Sequence, residues 1–254
     1  MKLEELYEHF NEDERLKTTK ANSIEFITTD HFIQKYLKED SKLLELGAAT
    51  GAYSIHYAKQ GYDVTAVEPV ERNLNILKSK ITDDMRVTPI LGNALDLSMI
   101  EDNTFDIIMC LGPFYHLKTN KERVQSINEM KRVVKDDGII LIAYISHDMI
   151  VICEQMRYDS HLLIDESVYK AEEHRLVDEP FTFLTYDDMK ECANDNNLTL
   201  IEEFAQDGTS ELFADKINAM SEEEYKNWLS FHFYICQKKE LIGFSNHIAG
   251  IYKK

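Results

Sequence analysis

The strongest constraint on this chain is a rhythm between residues 42 and 145, where short apolar runs alternate with amphipathic ones. Lys42–Leu46, Asp63–Val67, Arg86–Leu91, Phe105–Cys110 and Gly138–Ile145 have the length and aliphatic content of strands. Tyr53–Gln60, Glu71–Ser79 and Lys121–Val134 space their apolar residues for one helical face. This alternation predicts an α/β fold, a doubly wound and mainly parallel sheet with helices on both faces. Right-handed crossovers bring every loop leaving a strand's carboxyl end to one edge of that sheet. A ligand is expected at that edge.

Outside this core, assigned to residues 41–146, the pattern changes. Residues 1–40 read as an N-terminal helical cap, with Leu3, Leu6, Tyr7 and Phe10, then Ile24, Ile27, Phe32 and Ile33, at helical spacing. Residues 147–184 read as an insertion or lid, polar with apolar patches. Residues 185–254 complete the core with a helix Thr185–Asn194, a strand Leu198–Phe204, an amphipathic helix Ser221–Lys238 within a helical segment 210–240, and a last strand Ser245–Tyr252. The aromatic residues Trp228, Phe231, Phe233 and Tyr234 of that late helix are expected in the core.

Composition narrows the partners. With 254 residues, 44% of them hydrophobic, one large domain can bury a real core. Lys and Arg number 28 against 46 Asp and Glu, a net charge of −18, and residues 147–240 carry 22 acids against 8 bases. Such a surface repels phosphate backbones and anionic membranes, so a nucleic acid partner is not expected. No run approaches the ~18 apolar residues of a membrane span. No basic-then-apolar leader opens the chain, and a cytoplasmic location is the expectation. Cys110, Cys153, Cys192 and Cys236 lie far apart with no CxxC pair, so neither a zinc site nor a disulfide is expected.

The chemistry concentrates in the loops after the strands. Leu43-Leu44-Glu45-Leu46-Gly47-Ala48-Ala49-Thr50-Gly51 runs from a buried strand through a glycine turn into a helix. Gly47, Ala49 and Ala52 loosely follow the G-x-G-x-x-A fingerprint of dinucleotide binders. Glu45, two residues before the first Gly, argues instead for a cationic ligand, because a pyrophosphate has no use for a carboxylate there. Glu68 closes the next strand 23 residues later, where a carboxylate grips both hydroxyls of a ribose. The third strand ends in Leu91-Gly92-Asn93-Ala94 and the fourth in Leu111-Gly112-Pro113-Phe114-Tyr115-His116-Leu117.

Together these residues resemble the class I S-adenosylmethionine-dependent methyltransferases over roughly residues 40–146, with a Rossmann-like sheet implied. The Leu111–Leu117 stretch is similar to an LGPxYHL variant of bacterial members. The resemblance implies roles residue by residue. Glu45 anchors the loop and meets the cationic methionine end. Gly47, Ala48 and Gly51 shape the loop beneath the cofactor. Glu68 binds the ribose hydroxyls, Asn93 and Ala94 meet the adenine edge, and the Leu111 carbonyl with Gly112 receives the α-amino group. The family loop usually has a further Gly where this chain has Ala49.

The acceptor side is less legible. Tyr115 and His116 are the catalytic candidates, and Tyr7, Arg15 and His147 are candidates for substrate or lid contacts. A small molecule is the expected acceptor. An RNA or protein methyltransferase, or a non-catalytic S-adenosylmethionine-binding protein, are the alternatives.

Overall fold

A computed structural model describes residues 15–177 and 180–254. Tyr7 and Phe10 of the expected helical cap therefore lie outside the described residues. A helix α1 (Lys20–Ile33) precedes the first strand, capped by Thr19, whose side chain accepts from the Asn22 amide. The core then follows the expected order: β1 (Lys42–Leu46), α2 (Ala52–Lys59), β2 (Asp63–Glu68), α3 (Glu71–Lys80), β3 (Arg86–Leu91), β4 (Phe105–Cys110), α4 (Asn120–Val133) and β5 (Val134–Ser146). β5 is longer than expected from its apolar run. Phe105 pairs with Val134 before a register shift, so the polar Lys135–Asp137 stretch is carried within the strand. Lys135 is held there by an ion pair to Asp106 at 2.9 Å.

The insertion contains α5 (His147–Cys153), a π turn at Glu154–Tyr158 and a 3-10 turn at Leu162–Ile164. A hairpin of β6 (Tyr169–Lys170) and β7 (Arg175–Leu176) follows. The main sheet resumes already at β8 (Phe183–Leu184), which pairs parallel with the end of β5. The chain closes with α6 (Tyr186–Asp195), β9 (Thr199–Ala205), α7 (Ala214–Asn218), α8 (Glu222–Ile235) and β10 (His247–Lys253). Capping boxes fix the starts of α4, α6 and α8: Thr119 with Glu122, Thr185 with Asp188, and Ser221 with Glu224. Each pair satisfies two amides that the first helical turn leaves open.

The strands lie in the order β3-β2-β1-β4-β5-β10-β9, parallel through β5 and antiparallel at β10 and β9. This is a Rossmann-like sheet, mainly parallel with antiparallel C-terminal strands. Strand order reverses between β1 and β4, the point where ligands bind in open α/β sheets. Register makes that edge level, since Leu46 lies beside both Val67 of β2 and Cys110 of β4. α1 packs over the far end of the sheet, with Phe32 stacked on Phe204 of β9 at 3.8 Å.

One expectation is corrected. Of the late aromatic residues, Phe231 and Tyr234 lie outside the core, 50% and 66% exposed, whereas half-buried Trp228 packs against the cluster around Ile24 and Ile217. α8 attaches to α1 through the opposite side, where Tyr225 bonds Ser23 and the Lys20 carbonyl and His232 bonds Thr28. Cys110, Cys153, Cys192 and Cys236 are buried free thiols. Among the described residues no helix is long and apolar enough to cross a membrane.

Candidate active site

The turn after β1 is built by its glycines. Gly47 takes φ +69° and its amide bonds the Val67 carbonyl at 2.8 Å, so the chain turns immediately off the strand. A Cβ there would stand 3.0 Å from Cδ of Pro113, so only glycine lets the two loops close on each other. Ala49 also adopts a left-handed conformation, φ +46°, at a cost of roughly 1–2 kcal/mol for an L-residue. The cost is offset by Glu68, whose Oε2 accepts from the Ala49 amide at 2.7 Å while Oε1 accepts from the Val70 amide at 2.9 Å.

Glu45 performs the matching task on the other side of the turn. It is only 3% exposed, and its Oε2 accepts from both the backbone amide and the hydroxyl of Ser54 in the first turn of α2. Burial outweighs these hydrogen bonds and pushes its carboxyl up to about 8. The carboxyl therefore holds a proton to an unusually high pH beside a cavity.

That cavity, of about 250 Å³, opens over the turn. Glu45, Gly47, Ala48, Leu111 and Gly112 of the cofactor candidates line it, together with Tyr115 and Arg15 of the acceptor candidates. Arg15, Leu16 and Glu25 contribute from the N-terminal region, Phe181 from the insertion and His247 from β10. Segments before and behind the core thus cover the sheet edge. Arg15 is fixed by a two-pronged ion pair to Glu25, at 2.8 and 3.2 Å. Tyr115 is buried, and its hydroxyl has no partner among the described residues.

Other expected residues stand apart from this cavity. Gly51 caps α2 at φ +84°, and a Cβ there would meet Leu77 of α3 at 2.7 Å, so its task is close packing. Glu68 is 3% exposed and bonded into the loop, holding the turn that Ala49 strains. Asn93 is exposed and uses Oδ1 to accept from the Leu95 amide, stabilising its own turn beside buried Ala94. His116 sits outside the cavity wall against Phe181, and burial with nearby Lys118 drives its imidazole down to about 4, so it stays neutral. His147 is a correction. It is buried under the insertion, where Nε2 accepts from the Leu176 amide and Nδ1 meets Asp148, and it faces a different cavity with Lys118, Arg123 and Arg175.

Sequence reasoning missed three cavity neighbours: Glu25, Asp207 and His247, whose nitrogen and carboxylate oxygens lie within 4.8 Å of one another. The sole signal for Glu25 was a carboxylate in the apolar run Ile24–Ile27. Asp207 carried no local signal, and His247 fell within the expected last strand like its neighbours.

Residues 44–142 match the family model described as a methyltransferase domain. A Bacillus subtilis protein designated a methyltransferase, YqeM, is 30% identical over 113 residues, 43% of this chain and 44% of that one. The glycine/sarcosine N-methyltransferase of Aphanothece halophytica is 27% identical over 124 residues, 47% of each chain. This chain thus matches less than half the length of either relative. Among solved structures, PH0226 protein from Pyrococcus horikoshii superposes with a TM-score of 0.63 at 17% identity, covering 99% of both chains. An S-adenosylmethionine-dependent methyltransferase from Methanosarcina mazei gives 0.57 at 16% identity, covering 88% of this chain and 96% of that one.

Proposed function

Residues 44–142 match a methyltransferase domain, and we propose that this chain is a class I methyltransferase that transfers a methyl group from S-adenosylmethionine to a small-molecule acceptor. The observation that carries the proposal is one cavity in which buried Glu45, the Gly47–Ala48 turn and the Leu111–Gly112 turn converge under a cover from Arg15, Leu16 and Phe181.

The residues fit the donor. Glu45, a raised carboxyl at the cavity wall, matches a ligand whose sulfonium and ammonium are both positive. The Leu111 carbonyl and the Gly47 and Ala48 backbone would hold its methionine end. Glu68, Asn93 and Ala94, on the same edge at the ends of β2 and β3, would meet the ribose and adenine. When bound, S-adenosylmethionine supplies a methyl group already activated on sulfur, so no acid is needed for the leaving group. What falls to the chain is alignment and exclusion of water, and orientation alone supplies up to ~7–11 kcal/mol of barrier reduction. The Arg15–Glu25 ion pair and Phe181 form the cover that exclusion demands.

A small acceptor is supported by the net charge of −18, which disfavours nucleic acid. Relatives named for glycine, sarcosine and ubiquinone-biosynthesis substrates, at 27% and 24% identity, point the same way. Two assays test the proposal. Calorimetry should show S-adenosylhomocysteine binding and no response to NAD(H). Labelled methyl transfer into a metabolite extract, followed by mass spectrometry, should label a small product. Binding of NAD(H) without response to the sulfonium ligand refutes it.

A further inference from the structure

The wall of the cavity opposite the glycine turn carries an imidazole held by a carboxylate. His247 begins β10 and lies beside Ile145 at the end of β5. Its Nδ1 is 2.7 Å from Oδ2 of Asp207, and its backbone amide donates to Oδ1 of the same residue at 3.1 Å. Asp207 is buried and fixed further by the Ser245 hydroxyl, which donates to Oδ1. With Nδ1 committed to Asp207, Nε2 is the ring nitrogen without a partner among the described residues. Tyr115, whose buried hydroxyl also lacks a described partner, stands against the ring at 5.6 Å between centroids. A rigid imidazole and an unsatisfied hydroxyl at one cavity wall await a polar ligand group.

We propose that His247, oriented by Asp207, is the general base that takes the proton from the methyl acceptor, which is therefore a hydroxyl or a protonated amine. The inference rests on the methyltransferase proposal and deepens it. Loss of the acceptor's proton frees a lone pair on an amine nitrogen or strengthens that of a hydroxyl oxygen; as this pair forms its bond to the methyl carbon, the carbon–sulfur bonding pair returns to sulfur, leaving a neutral thioether. The acceptor's proton passes to Nε2, and the resulting imidazolium is stabilised by Asp207 and by Glu25, 3.7 Å from Nδ1. After product leaves, the proton returns to solvent.

Glu25, Asp207 and His247 also have the composition of a metal site. Arg15 already places its guanidinium on both Glu25 oxygens, and Nδ1 is the nitrogen bonded to Asp207, so the cluster's negative charge is met without an ion. The charged groups that set the titration are Glu25 from α1, Asp207 after β9, and Arg15, with the Tyr115 ring packed alongside. Burial alone would lower the His247 imidazole; Glu25 and Asp207 outweigh it and raise it.

The test is methyl transfer from labelled S-adenosylmethionine to sarcosine, catechol and a metabolite extract, as a function of pH, with wild type, His247→Gln and Asp207→Asn. Transfer by His247→Gln is expected to fall ~10²–10⁴-fold with donor affinity unchanged, and the acid limb of the wild-type pH profile should disappear. Asp207→Asn should lose less while shifting that limb to lower pH. If wild type binds donor but moves no methyl, the methyltransferase proposal itself fails. If His247→Gln transfers as wild type does, with its acid limb intact, the base assignment alone is overturned. Stoichiometric zinc or manganese binding that raises turnover overturns it too. Should His247→Gln not fold, nitrogen NMR of the wild-type ring decides. A neutral form protonated on Nδ1, titrating with the kinetic limb, supports the assignment; a proton on Nε2 or an unrelated midpoint overturns it.

Discussion

Replacing Glu45 with Gln separates what this residue does for the fold from what it does for a ligand. In the ligand-free protein the carboxyl is raised from 4.5 to about 8, chiefly by burial, so at neutral pH the folded form holds a proton that the unfolded chain has lost. Because the folded value is the higher one, the associated stability is complete below about pH 4.5 and drains away as pH rises toward 8. At pH 7 the drain amounts to about 3 kcal/mol, and at pH 5 to under about 1 kcal/mol. Gln is close in shape to the protonated acid, and its Oε1 can keep the Ser54 amide and hydroxyl as donors. Glu45→Gln should therefore be more stable than wild type at pH 7 by about 3 kcal/mol, which is roughly 6–12 °C in Tm for a chain of this size. The gap should close at pH 5. The same variant should lose affinity for S-adenosylmethionine, and the proton released when wild type binds that cation should vanish. Thermal unfolding from pH 5 to 8, with calorimetry in two buffers of unlike ionisation enthalpy, reads both effects. A variant less stable than wild type at pH 7, or a gap independent of pH, would refute the reasoning, because Glu45 would then be ionised in the free protein.

Glu68→Ala removes the acceptor of the Ala49 and Val70 amides, so S-adenosylhomocysteine affinity should fall ~10–150-fold and stability by roughly 1–3 kcal/mol per orphaned amide. An unchanged Kd in a folded variant would remove Glu68 from the site. Ala49→Gly relieves a left-handed residue, and chemical denaturation should show a change between none and a gain of about 1 kcal/mol; a clear loss would mean that the methyl group packs. Adding S-adenosylhomocysteine should slow hydrogen exchange in residues 15–33 and around Phe181, the cavity's cover. Protection confined to the glycine turn would place the cover elsewhere.

The sequence determined the core nearly residue by residue, since strand and helix identity between Lys42 and Ser146 depends on local periodicity and capping that need no distant partner. The glycine turn was legible for the same reason: Glu45, Gly47 and Ala48 are contiguous, and the strand before them fixes where they point. Tertiary structure decided what those motifs touch. Glu68 reads as a ribose ligand from spacing alone; that its two carboxylate oxygens also accept from backbone amides of neighbouring turns is visible only once β1 and β2 lie side by side. His147 followed the last core strand and looked like a lid residue, but the β6–β7 hairpin folds back and takes its Nε2. Phe231 and Tyr234 have core chemistry and remain exposed, because α8 meets α1 through its Tyr225 and His232 side. The acceptor wall was the least legible part. Glu25, Asp207 and His247 are far apart along the chain, and no local spacing relates them. They meet because β10 inserts antiparallel between β5 and β9, placing the end of β9 and the start of β10 beneath α1. Periodicity encodes elements, but contacts between distant side chains follow from sheet order, which the chain acquires only on folding.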